Sequence, residues 1–349
     1  MTDIDRSKPI LVTGAGGYIA SWIVRYLLED GLTVHATVRD QSNSDKIGHL
    51  THMGDETPGT LKFFEADLTR EGSFDEAMQG CEVVMHTASP FFIEKPKDVE
   101  RDLVGPARDG TRIVLEAANR VSTVKRIVLT SSVAAVMGDA TDAENAPNRT
   151  LDESYWNETS TASHNPYQYS KTLAEREAWK MAEAQNRWDL LAINPSFVLG
   201  PALSTRGDST SVNFIRDLVS GKVPGCPPLY FGLVDVRDVA RAHILAAFTP
   251  GASGRHITSA VTMSFLEIAN TLRETFGTKY KIPGKELPTF LLYIVGPLFG
   301  LTWEYLSKNA GVSFDLDHAY SRRDLGLEYR PIAETLAESV EQLDRLGML

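Results

Sequence analysis

The chain begins with an apolar run, "KPILVTG" (8–14), that passes through glycines straight into "YIASWIVRYLLEDG" (18–31), a stretch of helical periodicity that stops at Gly31. Strand, glycine turn and helix in that order are the first step of a parallel α/β sheet, and they limit what the rest of the chain can build. Within "VTGAGGYIASW" (12–22), Gly14, Gly17 and Ala20 stand at G-x-x-G-x-x-A spacing. Gly14 permits the tight turn. Gly17 lets backbone approach a pyrophosphate at the helix N-terminus, where unpaired N–H groups and the helix dipole meet the anion. Ala20 stands where the third glycine usually does, at the helix–strand contact, and its methyl is small. The backbone of Gly14, Gly16, Gly17, Tyr18 and Ile19 is the expected phosphate cradle.

The same alternation continues. Strand-like runs at 32–40, 60–68, 81–89, 124–132 and 188–196 are separated by helical patterns, among them 99–120, interrupted near Pro106, and 167–185. Continuous Val/Ile/Leu runs between helices imply a doubly wound parallel sheet covered on both faces. This α/β dinucleotide-binding part is expected to occupy residues 1–196. After Pro195 the segment 200–232 is rich in Gly, Pro and Ser, and suits a cap over the carboxyl edge of the sheet, where ligands of such folds bind. Residues 197–349 therefore read mainly as a smaller substrate-binding lobe, with strands near 233–238 and 255–259 returning to the main sheet or its edge. The stretch "LPTFLLYIVGPLFGLTW" (287–303) carries no charge over 17 residues but holds two prolines and two glycines. It reads as a buried or pocket-covering helix, too short and too broken for stable membrane insertion.

Composition narrows the function classes. With 42% hydrophobic residues among 349 there is enough apolar material for a large core. A net charge of −11 offers none of the cation excess that drives nucleic-acid binding. The two cysteines, Cys81 and Cys226, form no CxxC pair, so neither zinc nor a disulfide framework is indicated, and a reducing cytoplasm fits. The start, "MTDIDRSKPI", lacks the apolar core of a signal peptide. His86, His243 and the segment Asp235–Asp238 have no third partner at ligand spacing, so no metal is expected.

The second strand bears on which dinucleotide is bound. It ends "TVRD", with Arg39 before Asp40, and Lys46 follows at the start of a helix-like stretch. Two cations near one point suit a 2′-phosphate, Arg as a planar fork and Lys as a point charge, which favours NADPH. The competing reading has Asp40 holding the ribose hydroxyls of NADH. Asp67, at the end of the third strand, suits either the adenine amine or a helix cap.

In "NPYQYSKTLAE" (165–175), Tyr167 and Lys171 are four apart and share one helix face, whereas Tyr169 points nearly the opposite way. Pro166 suits a first helical turn. A phenol is a poor proton donor at neutral pH, and a nearby ammonium favours its ionised form. Ser131 and Ser132 end the strand "IVLTSS" at the same edge. Serine, tyrosine and lysine together make a proton-transfer set for hydride chemistry.

These residues resemble the extended short-chain dehydrogenase/reductases, and more narrowly the group of dihydroflavonol reductases, cinnamoyl-CoA reductases and yeast-type methylglyoxal/aldehyde reductases. The segments "VTGAGGYIASWIV", "ATVRD", "ADL", "HTASPF", "VLTSSVAAV", "YQYSKTLAE", "NPSFVLGP" and "VDVRDVARAH" carry the resemblance in the same order, over residues 10 to about 245. The C-terminal third is similar only loosely. The resemblance implies that Tyr167 is the acid, that Lys171 binds the nicotinamide ribose and eases ionisation of the phenol, and that Ser132, the second of the pair, holds the carbonyl oxygen. It assigns Arg39 and Lys46 to the 2′-phosphate, Asp67 and Leu68 to adenine, Thr87 and Ala88 to the cofactor wall, and Pro195 and Val198 to the carboxamide. Ser209 or Ser211 is expected near the pyrophosphate. In "SPFF" (89–92) and "VAAV" (133–136) the chain is more similar to fungal and bacterial carbonyl reductases than to plant flavonoid enzymes, which speaks against a flavonoid substrate.

The expected activity is NADPH-dependent reduction of an aldehyde or ketone to an alcohol, by a monomer or homodimer. The expected substrate wall is Phe91, Phe92, Val133 and Phe197, with Tyr230 and Phe231 behind, each of which also suits ordinary core. A nucleotide-sugar epimerase or dehydratase would need cations in the cap, which offers Arg206, Arg216 and Lys222 against Asp208 and Asp217. A steroid-type dehydrogenase would use the apolar stretch 287–303. A non-catalytic dinucleotide sensor would have no need of the Ser-Tyr-Lys set.

Overall fold

The structure is a computed structural model that describes residues 3–89, 98–204 and 210–349. Seven parallel strands form the main sheet: β1 (Ile10–Thr13), β2 (Thr33–Val38), β3 (Thr60–Glu65), β4 (Val83–His86), β5 (Arg126–Thr130), β7 (Asp189–Pro195) and β10 (Gly254–Thr258). Their order is β10-β7-β5-β4-β1-β2-β3. The helices of the first two thirds are α1 (Tyr18–Glu29), α2 (Ser44–Glu56), α3 (Asp75–Met78), α4 (Gly105–Arg120) and α5 (Pro166–Glu183). Pro106 is the second residue of α4, and a π-helical turn, Glu100–Val104, runs directly into it with helical backbone at Val104 and Gly105.

Alternation along each strand splits the core in two. Ile10, Val12, Val34, Ala36, Val83, Met85 and Val128 pack on one side with α1. Leu11, Val84, Ile127 and Leu129 pack on the other with α3 and α4. Both sets are buried, so the central strands carry apolar residues towards both faces, as a sheet covered on both sides demands. The helix α1 closes at Gly31, whose φ of 75° lets its amide reach the Leu28 carbonyl and that of Leu32 reach Leu27.

The remaining chain builds a second body. β8 (Phe197–Leu199), β9 (Tyr230–Asp235) and β11 (Val261–Ser264) form a three-stranded sheet, with β9 parallel to β8 and antiparallel to β11. Around it lie α6 (Thr210–Val219), α8 (Phe265–Phe276) and α12 (Ile332–Arg345), which share one apolar core. α7 (Val236–Phe248) instead covers the α1 side of the main sheet. β6 (Thr150–Leu151) and β12 (Asp315–Leu316) make a short pair, and α9 (Thr289–Val295), α10 (Trp303–Asn309) and α11 (Ala319–Leu325) complete the chain.

Two expectations need correcting. The segment beginning at 233 does not return to the main sheet: residues 233–235 belong to β9, whose two edges are taken by β8 and β11 in the small sheet. Residues 254–258 do form the edge of the main sheet, as β10 against β7. The stretch 287–303 is not one buried helix. It breaks at Gly296 into α9 and a 3-10 turn before α10, and while Leu292 is buried, Phe290, Ile294 and Trp303 are each at least 66% exposed. Among the described residues no helix is long and apolar enough to cross a membrane.

Candidate active site

Strand order reverses at β1: the chain runs out through β2 and β3 on one side, then crosses to β4 on the other. A crevice opens above such a switch point, at the carboxyl ends of the strands. Register aligns Thr13 with His86, His86 with Leu129, and Thr130 with Ile193, so the ends of four strands share this edge.

The glycine turn is built by contacts that exclude a side chain. Gly14 has φ 62°, and the Gly17 amide donates to its carbonyl at 2.9 Å. A Cβ on Gly14 would lie 3.0 Å from the Ala88 Cβ and 3.1 Å from its Cα, so both the backbone angle and the neighbour require glycine. Gly17 is the N-cap of α1 and supplies no side-chain acceptor, which leaves the first-turn amides, including Tyr18 and Ile19, without a side-chain cap. This is the cradle a pyrophosphate fits. The Tyr18 side chain turns away, its hydroxyl donating to the Gly200 carbonyl at 2.6 Å, and burial pushes that phenol far up.

Thr13 ties this turn to the next. Its hydroxyl oxygen accepts the amides of Thr87 at 3.1 Å and Ala88 at 3.0 Å, so its hydrogen goes to His86 Nδ1 at 2.9 Å. The Thr87 hydroxyl donates to the Thr13 carbonyl. His86 must be neutral to accept, and burial, with the charge of Lys171 adding, pushes it down to about 3.

At the end of β2, Arg39, Asp40 and Lys46 are all exposed. Asp40 Oδ1 accepts from the Ser42 amide at 2.9 Å and hydroxyl at 2.6 Å, and the bonds from Ser42 hold the carboxyl below its usual range. The start of α2 abuts the glycine turn: a Cβ on Gly16 would lie 3.2 Å from the Lys46 carbonyl. Asp67 accepts from the amide and hydroxyl of Thr69 at 2.8 and 2.7 Å, which lowers its carboxyl, with Arg39 adding to the effect. Leu68 is packed on α4, 3.1 Å from where a Cβ of Gly110 would be.

On α5, residues 167, 171 and 175 form one stripe. Tyr167 is 48% exposed, Lys171 half-buried, and Glu175 1% exposed. Lys171 borders a narrow cleft with His86, Ala88, Ser89 and Ser131. Glu175 anchors the stripe. Its Oε2 accepts from Ser131 Oγ at 2.5 Å and Asn194 Nδ2 at 2.7 Å, and its Oε1 from Arg255 Nε at 2.6 Å and Trp179 Nε1 at 3.1 Å. Ser131 thereby commits its hydroxyl to the helix. Ser132 is half-buried at the head of a 3-10 turn, Val133–Ala135, where its oxygen accepts the Ala134 amide at 3.1 Å. Its hydroxyl lies 3.5 Å from the Pro195 carbonyl, too long for a strong bond.

Of the other candidates, Val198 lies in β8 and its carbonyl accepts from Ser211 Oγ at 2.6 Å. Val133 is half-buried beside Ser132. Phe197 packs edge-on to Phe214 at 5.1 Å and lies 6.0 Å from Phe231, inside an aromatic group that includes Phe265. Ser209, Phe91, Phe92, Arg206 and Asp208 lie outside the described residues. Glu175, Asn194 and Arg255 were not singled out from sequence. Glu175 had a signal, four residues beyond Lys171 on the same face; the other two are brought in by β7 and β10 alone.

Comparison with known proteins sets this geometry in context. Residues 10–258 match the model of the NAD dependent epimerase/dehydratase family. A cinnamoyl-CoA reductase of Medicago truncatula, CAD2, is 37% identical, covering 98% of each chain. Tetraketide alpha-pyrone reductase 2 of Arabidopsis thaliana is 41% identical over 76% of this chain and 82% of its own. Among solved structures, the yeast methylglyoxal/isovaleraldehyde reductase Gre2 complexed with NADPH superposes with a TM-score of 0.79 at 29% identity, covering 98% of this chain and all of the other.

Proposed function

The chain belongs to the NAD dependent epimerase/dehydratase family, and we propose that within it the protein is an NADPH-dependent carbonyl reductase that converts an aldehyde or ketone into an alcohol. The observation that carries this reading is the α5 stripe: Glu175, bonded to Ser131 and Asn194, holds Lys171 beside His86 and the carboxyl edge, with Tyr167 one turn further along the same face.

Bound NADPH supplies the hydride that the carbonyl carbon receives. Tyr167 donates its phenolic proton to the carbonyl oxygen as negative charge develops there. The Ser132 hydroxyl, not spent on the helix as that of Ser131 is, donates a hydrogen bond to the same oxygen and fixes its direction. Lys171 stabilises the phenolate left behind and orients the nicotinamide ribose. Arg39 and Lys46, exposed beside the glycine turn, receive the 2′-phosphate as a planar fork and a point charge, while Asp40 Oδ1 holds the amide and hydroxyl of Ser42. Val133 and the aromatic group around Phe197 supply an apolar wall for the substrate. The reductase relatives and the NADPH-bound Gre2 support the reaction class and the coenzyme.

Purified protein with NADPH and a panel of aldehydes and ketones should consume nicotinamide absorbance. Tyr167→Phe should lower the rate by roughly 10²–10⁴-fold while NADPH still binds. No consumption by the wild-type protein across a broad panel defeats the proposal, and tightly retained NAD in the purified protein would turn it towards an epimerase.

A further inference from the structure

The residue that opens the tyrosine's helix has an uncommon backbone. Asn165, the N-cap of α5, has φ 55° and ψ 55° although it precedes Pro166. A residue before proline ordinarily prefers extended backbone, and a left-handed residue other than glycine persists only where its surroundings over-determine it. Those surroundings can be traced. Asn165 Nδ2 donates to the Gly138 carbonyl at 3.0 Å and to Asp139 Oδ1 at 2.8 Å. Asp139 is 1% exposed, and its other oxygen lies 2.7 Å from His164 Nε2. The remaining partners come from α10. Asn309 Nδ2 donates to Asp139 Oδ1 at 2.7 Å, and Asn309 Oδ1 accepts the Ala140 amide at 2.9 Å. Lys308 Nζ stands 3.7 Å from Asp139 Oδ2, and Glu304 Oε2 3.6 Å from His164 Nδ1. One face of a C-terminal helix thus grips the loop that holds the start of α5, two residues before Tyr167.

We propose that Asp139 and Asn309 are positioning residues for the proton donor: together they hold Asn165 left-handed, so that α5 starts with Tyr167 aimed at the carboxyl edge, and docking of α10 becomes a condition for turnover. The inference rests on the reading of Tyr167 as the donor. Neither residue need touch substrate or coenzyme; they act through the backbone at 165. A buried carboxylate shared by three side chains from two distant segments is a rigid joint, since each partner removed leaves another polar group without its bond.

The test is Asn309→Ala, alone and with Asn165→Gly. Asn309→Ala should lower kcat by roughly ten- to a hundredfold, as a small misplacement of a catalytic group does, and leave NADPH affinity within about threefold of wild type, because the glycine turn does not depend on α10. Amide exchange over residues 169–171, where the Tyr169 amide bonds to the Asn165 carbonyl, should quicken. Glycine adopts the left-handed angle without the clamp, so adding Asn165→Gly should recover kcat by about fivefold or more. Unchanged kcat and exchange in Asn309→Ala, no recovery from the glycine, or NADPH affinity falling in step with kcat would each overturn the proposal. The exchange comparison needs no turnover. Should the wild-type protein reduce no carbonyl, the functional reading fails while exchange at 169–171 still decides whether the clamp exists.

Discussion

The β1–α1 turn and the start of α5 both present groups at the same carboxyl edge, by opposite means. The turn is backbone: Gly14, Gly16 and Gly17 fall within four residues, and it needs the absence of side chains there. The tyrosine's helix is positioned by side chains from remote segments, Arg255 lying 80 residues beyond Glu175 and Asn309 170 beyond Asp139. A site made of local backbone tolerates change around it but not within it. A site held by distant partners can be lost from far away.

The contrast yields graded expectations. Glu175→Ala should cost most, about 3–5 kcal/mol, because it leaves the Arg255 guanidinium buried without its carboxylate. Denaturant unfolding measures it, and a loss below about 1 kcal/mol would mean that side-chain pairing does not hold α5. Gly14→Ala should destabilise by about 1–3 kcal/mol and abolish NADPH binding, since alanine is strained at φ 62° and meets Ala88. The control is Gly48→Ala on α2, where a Cβ meets nothing within 4 Å; it should stabilise by up to about 1 kcal/mol. Wild-type binding in Gly14→Ala would refute the backbone account.

His86 belongs to both regions, bonded to Thr13 of the turn and bordering Lys171 of the helix. Its folded value, about 3, is below the ordinary 6.5, so the folded protein binds fewer protons than the unfolded chain between those values. Its contribution is therefore whole above pH 6.5 and is lost as pH falls towards 3. His86→Gln keeps an acceptor and should reduce the stability lost between about pH 6.5 and 4.5 by roughly 1–2 kcal/mol. Thermal melts at both pH values test this, and equal losses in the two proteins would remove His86 from the account. The smallest effect is expected at the rim. Arg39→Ala or Lys46→Ala should each weaken NADPH by about two- to fivefold and leave NADH unchanged, because exposed charges are screened. Equal loss for both coenzymes would assign these cations a role other than the 2′-phosphate.

Much of the sheet, and the local parts of the candidate site, could be read along the chain. Glycine spacing after an apolar run, continuous apolar strands and the four-residue step from Tyr167 to Lys171 are local, and the sheet confirms the strands they implied. The fate of 230–235 was not local, because whether a strand joins one sheet or another depends on which edge is free, and that is a property of the folded chain. Nor could 287–303 be read from its lack of charge, since Phe290 and Ile294 face water beside a buried Leu292.

The strand pattern alone does not distinguish Ser131 from Ser132; in the fold the Glu175 carboxylate takes up the Ser131 hydroxyl, while that of Ser132 lies 3.5 Å from the Pro195 carbonyl. Backbone angles and side-chain periodicity act over a few residues, so they are written into the chain and survive any packing. Partners such as Arg255, Asn194 and Asn309 meet their acceptors across tens to hundreds of residues, and no spacing rule connects them until the sheet has brought the strand ends together.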